Sequence, residues 1–450
     1  LLALPLSAAD LTRDLDRLLA TVPTGGRAAV LVFDINTQCL LYSRHGDLAL
    51  APASVAKLLV GAAALLELGP DWRFTTKLIA LGAVNSNVLP ALGVLADGDP
   101  CLDTHFYDDP DQPLRAWATA LKAKGVTRIV GDLLIDRSRF CGPERPATYP
   151  QDHQNQQSWY SAPASAFAWN DNCIEVRAVP GALGQPAKLV TRPISPRFSV
   201  RNLTQSVAKG RSGLVIERGA LTNDLTVRGT FSAPVDWQPV AIHHDADLLA
   251  GDQFRCVLVA AGIPVDGQVR SGTVPANGTV LVEDGHPLAP ALGVFLTRSQ
   301  NFYGEQLLRV LGLRRRGEGS ISAGCAAVND ILQQHLGADL RVYTLLDGSG
   351  LSHGNRACAD VLARLLWTMD RSPHAALFRK SLKSMDSGTI KGRVKTGLIA
   401  IARTLAGYLE RPDGSRVIFV VLLNQGEARN FGWGPTLREK FFQAICRGIE

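Results

Sequence analysis

The chain has 450 residues, enough for two or three domains that each bury a core. Its formal net charge of +6 is small for this length and its charged residues are scattered, so no nucleic-acid-binding surface is indicated. Beyond its first residues no stretch is long and apolar enough to span a bilayer, so at most a loose membrane association is expected.

The first nine residues are apolar and end in small side chains, with Ser7 and Ala9 at the two positions that precede a cleavage site. This pattern is typical of the end of a secretory signal peptide and predicts export; an ordinary apolar N-terminal segment is the alternative. The eight cysteines are an even number, consistent with an oxidising compartment, although buried free thiols also explain them. Without Cys-x-x-Cys or His-Glu-x-x-His spacing, no metal site or other cofactor is predicted.

Residues 11–24 have the pattern of a short helix, and two strands follow at 28–33 and 39–42. A second strand pair is predicted near the other end, at 404–409 and 417–423, around the turn Pro412-Asp413-Gly414. Helices are expected from Asn301, over 359–369 and over 437–449. The two ends of the chain therefore share one predicted α+β domain.

The segment Pro52-Ala-Ser-Val-Ala-Lys57 contains a serine and a lysine three residues apart, Ser54 and Lys57, at the head of a predicted helix. A serine hydroxyl needs a neighbouring base to act as a nucleophile, and a desolvated lysine can be that base. Ser-x-x-Lys is expected about once by chance in a chain this long, and a second copy occurs at Ser206 and Lys209. Only the first copy is followed by a buried helical pattern, which ends at Gly69.

Between residues 76 and 285 the sequence changes to short β-like runs separated by turn residues, among them 78–84, 129–135, 214–216 and 256–260. We interpret this part as an insertion into the α+β domain. The predicted catalytic domain is then formed by 1–75 with 286–450. Residues 76–179 with 236–285 form a second domain, and the turn-rich 180–235 form a third domain nested inside the second.

Two further motifs follow the insertion. Ser299-x-Asn301 places a hydroxyl and an amide at the start of a helix, and Lys395-Thr396-Gly397 precedes a strand. A cation, a hydroxyl and a glycine at a strand edge suit the binding of a carboxylate while an extended peptide lies close to the backbone. Each motif alone is also compatible with a solvated surface. The order Ser-x-x-Lys, Ser-x-Asn, Lys-Thr-Gly is the signature of penicillin-binding proteins and serine β-lactamases.

The chain resembles the low-molecular-mass class C penicillin-binding proteins, the periplasmic D-alanyl-D-alanine carboxypeptidase/endopeptidases, over nearly its whole length. The resemblance extends beyond the motifs to 68–76, Asp97-Gly-Asp-Pro100, Ser161-Ala-Pro163 followed by Asn172, and Asp347-Gly-Ser-Gly-Leu-Ser352. It implies a penicillin-recognising, β-lactamase-like domain, an antiparallel sheet flanked by helices, with two nested and mainly β inserted domains. It also implies a periplasmic location.

The resemblance implies a role for each motif residue. Ser54 is the acylated nucleophile, Lys57 its general base and Ser299 a proton relay to the leaving amine, while Asn301 holds the substrate amide and positions Lys57. Lys395 and Thr396 bind the terminal carboxylate, Gly397 belongs to the same substrate-binding motif, and the backbone N–H groups of Ser54 and Leu398 form the oxyanion hole. The implied partners are peptidoglycan stem peptides and their cross-links as substrates, and β-lactam antibiotics as covalent inhibitors.

Three features depart from the family pattern. The family usually has Ser or Thr where this chain has Leu398, and 387–394 is several residues shorter than the corresponding loop. The third is Asp171, near the place of an acidic residue in some members, to which we assign no catalytic role because a turn function explains it. Two other functions stay open: a serine β-lactamase, which hydrolyses its acyl-enzyme quickly, and a non-catalytic wall-binding protein.

Overall fold

The computed structural model describes residues 6–82, 87–337 and 343–450. The helices are α1 Leu6–Leu19, α2 Lys57–Leu68, α3 Gln112–Ala123, α4 His153–Gln157, α5 Ala246–Ala260, α6 Leu288–Arg298, α7 Asn301–Arg316, α8 Ile321–Leu336, α9 Ala359–Asp370, α10 Ala375–Lys380 and α11 Trp433–Ile449. The first nine strands are β1 Arg27–Asp34, β2 Cys39–Arg44, β3 Thr76–Leu81, β4 Val88–Leu89, β5 Ala91–Ala96, β6 Arg128–Ile129, β7 Leu133–Asp136, β8 Cys173–Val179 and β9 Lys188–Arg192. The others are β10 Val200–Ser206, β11 Val215–Arg218, β12 Leu225–Phe231, β13 Val235–Ala241, β14 Val269–Ser271, β15 Thr279–Asp284, β16 Lys383–Ser384, β17 Lys391–Ile399, β18 Ala402–Glu410 and β19 Arg416–Asn424.

The chain divides into two compact units. The first unit contains Leu1–Trp72, Pro287–Gly317 and Ile321–Glu450, and the second contains Arg73–His286 and Glu318–Ser320. The three predicted sequence motifs all belong to the first unit. The further division of the insertion at 180 and 235 stays a prediction.

The first unit is built on a six-stranded antiparallel sheet of order β16-β17-β18-β19-β1-β2. The predicted C-terminal hairpin is present as β18 and β19, and β19 also pairs with β1, so that Val30 lies opposite Val421. The two ends of the chain therefore meet in one sheet, as the sequence predicts. One sheet face buries Leu405, Val421 and their neighbours against α1 and α11.

Helix α2 forms the centre of the helical part of this unit. Nine of its twelve residues, from Lys57 to Leu65, are buried, and it packs against α6, α7, α8 and α9. A helix that is apolar on all sides is expected to lie inside a domain rather than on its surface. It ends at Gly69, whose φ of 77° is in the region that favours glycine. Burial on every side fixes the position of the segment that carries Ser54 and Lys57.

The second unit contains a mixed five-stranded sheet, β14-β7-β5-β3-β15, two three-stranded sheets, β13-β8-β9 and β10-β12-β11, and the pair β4-β6. Helices α3 and α5 pack together, with Trp117 and Phe254 in one buried cluster. The predicted β-like run at 256–260 is wrong, because these residues form the last turns of α5. Ala250, Phe254 and Leu258 are buried at helical spacing in one cluster. A five-residue apolar run cannot by itself distinguish a strand from a buried helix.

Two N-terminal predictions have different outcomes. The first helix is observed at Leu6–Leu19 rather than at 11–24, since Pro23 disfavours helical geometry at Val22 and the chain turns there. Residues 1–5, which carry most of the run interpreted as the end of a signal peptide, lie outside the described residues.

None of the helices in the described ranges is long and apolar enough to cross a membrane. The eight cysteines, all within the described residues, form no disulfide.

Candidate active site

Ser54 lies in a tight turn at the entrance to α2. Residues Ala53–Ala56 form one turn of 3-10 helix and α2 begins at Lys57, so the sequence prediction of one helix from Ser54 misses this change of geometry. Ala53 has a φ of 48°, a left-handed conformation that is rare for a residue with a side chain. Such strain persists only where the surroundings enforce it, and it is common at active sites.

Two glycines allow other backbone segments to approach this turn closely. A Cβ atom on Gly350 would lie 2.0 Å from the carbonyl oxygen of Ala53, and one on Gly397 would lie 2.8 Å from that of Pro52. Thr404, opposite Gly397 in the sheet, donates its hydroxyl to the same Pro52 oxygen at 2.7 Å. The Lys-Thr-Gly strand and the turn that carries Ser54 are thus in direct contact, and neither glycine can be replaced without moving them apart.

The amino group of Lys57 is fully buried and has three polar neighbours. Its Nζ lies 2.9 Å from Ser54 Oγ and 2.7 Å from Asn301 Oδ1, and it also contacts the carbonyl oxygen of Ser349. A neutral amine has two N–H donors and one lone pair. The Asn301 and Ser349 oxygens can only accept, so they take the two donors and leave the lone pair for the Ser54 hydroxyl. The geometry therefore suits a neutral Lys57 that accepts the Ser54 proton.

The electrostatic surroundings favour that neutral form. Burial lowers the pKa of Lys57 to about 7, although the nearby carboxylates of Asp347 and Glu305 act in the opposite direction. A base with a pKa near the working pH is partly deprotonated and still takes up a proton readily. Lys57 therefore has both the position and the pKa of a general base.

Asp347 and Glu305 shape the site around Lys57, and sequence reasoning assigned neither of them a role. Asp347 is fully buried, and its Oδ1 accepts from the backbone N–H of Ser349 at 3.1 Å and of Gly350 at 2.6 Å. Glu305 Oε1 accepts from the N–H of Gly348 at 3.0 Å. Together they fix the loop whose Ser349 carbonyl contacts Lys57. In the sequence, only the resemblance to the family distinguishes the stretch 347–352.

The second and third motifs meet on the other side of the site. Ser299 follows α6 in a left-handed conformation with a φ of 62°, and its Oγ lies 2.8 Å from Lys395 Nζ on β17. Lys395 also donates to the carbonyl oxygen of Thr396 at 2.9 Å. Asn301, the first residue of α7, connects this motif to Lys57. The structure thus joins Ser54, Lys57 and Asn301 by hydrogen bonds, and Ser299 with Lys395.

Lys395 is buried without a counter-charge. Its side chain is 1% exposed, and in the described part of the chain no carboxylate lies within 4 Å of its Nζ. Burial, then the positive charge of Lys57 when that amine is protonated, and last the cation of Lys383 hold the pKa of Lys395 well below its usual range. A bound carboxylate would restore the charge of this amino group and gain a charge-assisted hydrogen bond.

The remaining predicted residues lie along β17. Strand β16 pairs only with Arg393 and Val394, so β17 has a described partner strand on one side alone from Lys395 to Ile399. An extended peptide can add to such an edge. Thr396 is half-buried, whereas Leu398 is 66% exposed at this edge.

The second copy of Ser-x-x-Lys has a structural role. Ser206 ends β10 in the second unit, is buried, and accepts the N–H of Gly181 at 2.8 Å. Asp171 also lies in the second unit, in the turn Asn170–Asn172 with a φ of 53°, and its Oδ2 lies 3.6 Å from His105 Nε2. This turn geometry agrees with the structural role that the sequence suggests for Asp171.

The pKa of Lys57 predicts how acylation depends on pH. The rate should be level above pH 7 and fall by about tenfold per pH unit below it, because protonated Lys57 cannot accept a proton. Glu305→Gln removes a charge that raises this pKa while keeping an oxygen for Gly348, so the fall should move to lower pH. Pre-steady-state acylation rates across pH measure both effects. Glu439→Gln, which changes an exposed residue on α11, is the control. A pH profile of acylation that does not move in Glu305→Gln would contradict the assignment of Lys57 as the base.

A helix-flanked antiparallel sheet that brings these three motifs together is the arrangement of the penicillin-recognising serine enzymes. A model of the D-Ala-D-Ala carboxypeptidase 3 (S13) family matches residues 11–432. The D-alanyl-D-alanine carboxypeptidase of Actinomadura sp. (strain R39) is 32% identical over 447 residues, covering 92% of this chain and 80% of that protein. D-alanyl-D-alanine carboxypeptidase DacB of Haemophilus influenzae is 24% identical over 446 residues, covering 93% and 88%.

A solved structure agrees with the fold. The crystal structure of penicillin binding protein 4 (dacB) from Haemophilus influenzae matches with a TM-score of 0.77 at 22% identity, covering 98% of this chain and 99% of that one. This chain belongs to the D-Ala-D-Ala carboxypeptidase 3 (S13) family. The family resemblance, the α+β fold class and the predicted enzyme class, a serine-type D-Ala-D-Ala carboxypeptidase, are confirmed.

Proposed function

We propose that this enzyme cleaves the bond after a D-alanine in peptidoglycan stem peptides and cross-links through an acyl-enzyme on Ser54. The observation that carries the proposal is the environment of Lys57, whose lone pair is directed by its other contacts toward the Ser54 hydroxyl. A pKa of about 7 makes this amine a base near neutral pH.

The reaction takes two steps. Lys57 accepts the Ser54 proton while Oγ attacks the carbonyl carbon, and the backbone N–H groups of Ser54 and Leu398 stabilise the oxyanion. The proton then passes through Ser299 to the leaving amine as the C–N bond breaks. In the second step water attacks the ester, returning the proton to Ser54 and releasing the acid.

The edge of β17 supports the binding part of the proposal. An extended substrate lies along residues 395–398, where β16 does not cover the strand. Its terminal carboxylate reaches Lys395, which is buried beside Ser299 and has no described counter-charge. Thr396 adds a hydroxyl, and Gly397 lets the peptide lie close to the backbone. At Leu398 only the backbone is needed, so the departure from the family residue leaves the oxyanion hole intact.

The same arrangement accounts for β-lactams as covalent inhibitors, because they carry a carboxylate beside a reactive amide. Penicillin binding protein 4 (dacB) from Haemophilus influenzae has been solved in complex with a β-lactam, at 21% identity to this chain. The family and the pattern of residues 1–9 support export to the periplasm, where peptidoglycan is found.

Release of D-alanine from a pentapeptide stem by the purified enzyme tests the function directly. Two alternatives have other signatures: a β-lactamase turns over penicillin rapidly, and a non-catalytic wall-binding protein forms no covalent adduct. The S13 family favours the peptidase over the β-lactamase. An enzyme that hydrolyses penicillin rapidly but releases no D-alanine would overturn the proposal.

Lys395→Ala should lower kcat/KM for D-alanine release by roughly 10- to 1000-fold, since a charge-assisted hydrogen bond retained in the transition state is lost. An analogue with an amidated terminal carboxylate never makes this contact. Lys395→Ala should therefore lower kcat/KM for that analogue far less. Measuring both substrates on both enzymes completes a double-mutant cycle. Equal losses on the two substrates would mean that Lys395 acts on folding or on the chemistry itself.

A further inference from the structure

A cationic pocket lies in the first unit where β17 begins. Its cavity has a volume of about 390 Å³ between α10 and the ends of β17, β18 and β19. Five of its ten lining residues are cationic and two are acidic. We call it the basic pocket; its cationic residues are Arg379, Lys380, Lys391, Arg393 and Arg416.

Two of the three acidic groups nearby are engaged within the protein, and the third, Glu410, lies opposite Lys391 in the β17–β18 pairing. Asp370, 4% exposed, pairs with Arg379 and lies 3.1 Å from Arg416, so it fixes both guanidinium groups from beneath. Asp386 accepts the backbone N–H of Gly392 at 3.1 Å. In the described ranges, no carboxylate lies within 4 Å of Lys380, Lys391 or Arg393. The pocket therefore retains a positive excess that an anion can neutralise.

The basic pocket and the catalytic site lie on the same face of β17. Side chains alternate between the faces of a strand, so Lys391, Arg393 and Lys395 share one face, and β17 pairs with β18 without irregularity over this stretch. Successive members of this row are roughly 7 Å apart. The wall of the pocket is also tied to the second motif, because Thr297 donates its hydroxyl to the carbonyl oxygen of Ser381, next to α10, at 2.7 Å.

The direction of the substrate follows from the proposed function, on which this inference rests. The scissile carbonyl lies at the N–H of Leu398, and the carboxylate of the leaving residue lies at Lys395. Because β16 covers the edge of β17 at Arg393 and Val394, whatever follows the leaving residue has to pass over the face of β17 that carries Arg393 and Lys391. A pentapeptide ends at Lys395 and leaves the basic pocket empty. In a cross-link, the leaving amine belongs to a second stem peptide, which carries further carboxylates.

We propose that the basic pocket is a subsite for carboxylates of the second stem peptide, on the leaving side of a cross-link. Guanidinium groups held by Asp370 present planar donor pairs that match carboxylates. The subsite gives this enzyme a preference for opening cross-links over releasing terminal D-alanine.

The test uses Lys391→Gln/Arg393→Gln, two exposed side chains outside the catalytic machinery. The control is Lys440→Gln/Arg447→Gln, which removes the same charge from the exposed face of α11. The pocket variant should lower kcat/KM for a cross-linked stem-peptide dimer by about tenfold or more. Its kcat/KM for a monomeric pentapeptide should change less than twofold. For a dimer whose leaving half has amidated side-chain carboxylates, wild type and the pocket variant should not differ in kcat/KM.

Each outcome decides the question. Equal losses on dimer and pentapeptide, an unchanged dimer rate, or the same loss in the control variant overturns the subsite. A wild-type enzyme that releases D-alanine but does not open the dimer overturns it as well, while leaving the proposed function in place. Failure of the proposed function is distinct, since wild type would then neither release D-alanine from the pentapeptide nor open the dimer.

Discussion

Lys57→Ala is expected to slow acylation by penicillin by about 100- to 10,000-fold, the usual contribution of a general base. Without the amine, the Ser54 hydroxyl keeps its proton, and the oxygens of Asn301 and Ser349 lose their shared donor. The rate of appearance of the covalent adduct, followed by intact mass, measures the loss directly. It also separates acylation from the later hydrolysis.

The controls for this prediction come from the chain itself. Lys209→Ala changes the lysine of the second Ser-x-x-Lys copy and should leave acylation unchanged. Lys57→Met fills the buried space without a base, so a slow but thermally stable Lys57→Met protein assigns the loss to chemistry rather than to unfolding. A loss below tenfold in either Lys57 variant would mean that another group, such as Ser299 with a water molecule, accepts the proton.

Sequence reasoning predicts the geometry around Ser54 where the arrangement is local. Ser54 and Lys57 are three residues apart, and the apolar run after them marks a buried helix, so their proximity follows from helix geometry. The same reasoning rejects the copy at Ser206, which the structure places at the end of a strand. Asp-Gly between two apolar runs likewise predicts the β18-β19 hairpin.

The groups that set the pKa of Lys57 cannot be identified from local sequence patterns. Glu305 and Asp347 lie about 250 and 290 residues further along the chain, and only tertiary packing of the helices brings them to the amine. Nothing in a local pattern marks the carbonyl of Ser349 as its third partner. The left-handed conformation of Ala53 is equally invisible, since it results from the close approach of Gly350 and Gly397. The sequence thus indicates candidate reacting groups, and the fold determines their pKa values.

The most direct test of the account is the intact mass of the protein after incubation with penicillin, for wild type, Ser54→Ala and Ser206→Ala. Ser54 has the Lys57 amine within hydrogen-bonding distance, and its turn contacts the Lys-Thr-Gly strand, whereas Ser206 accepts a backbone N–H in the second unit. Wild type and Ser206→Ala should gain the mass of one penicillin, and Ser54→Ala should gain none. An adduct that persists in Ser54→Ala, or that disappears in a folded Ser206→Ala, would contradict the assignment of Ser54 as the nucleophile.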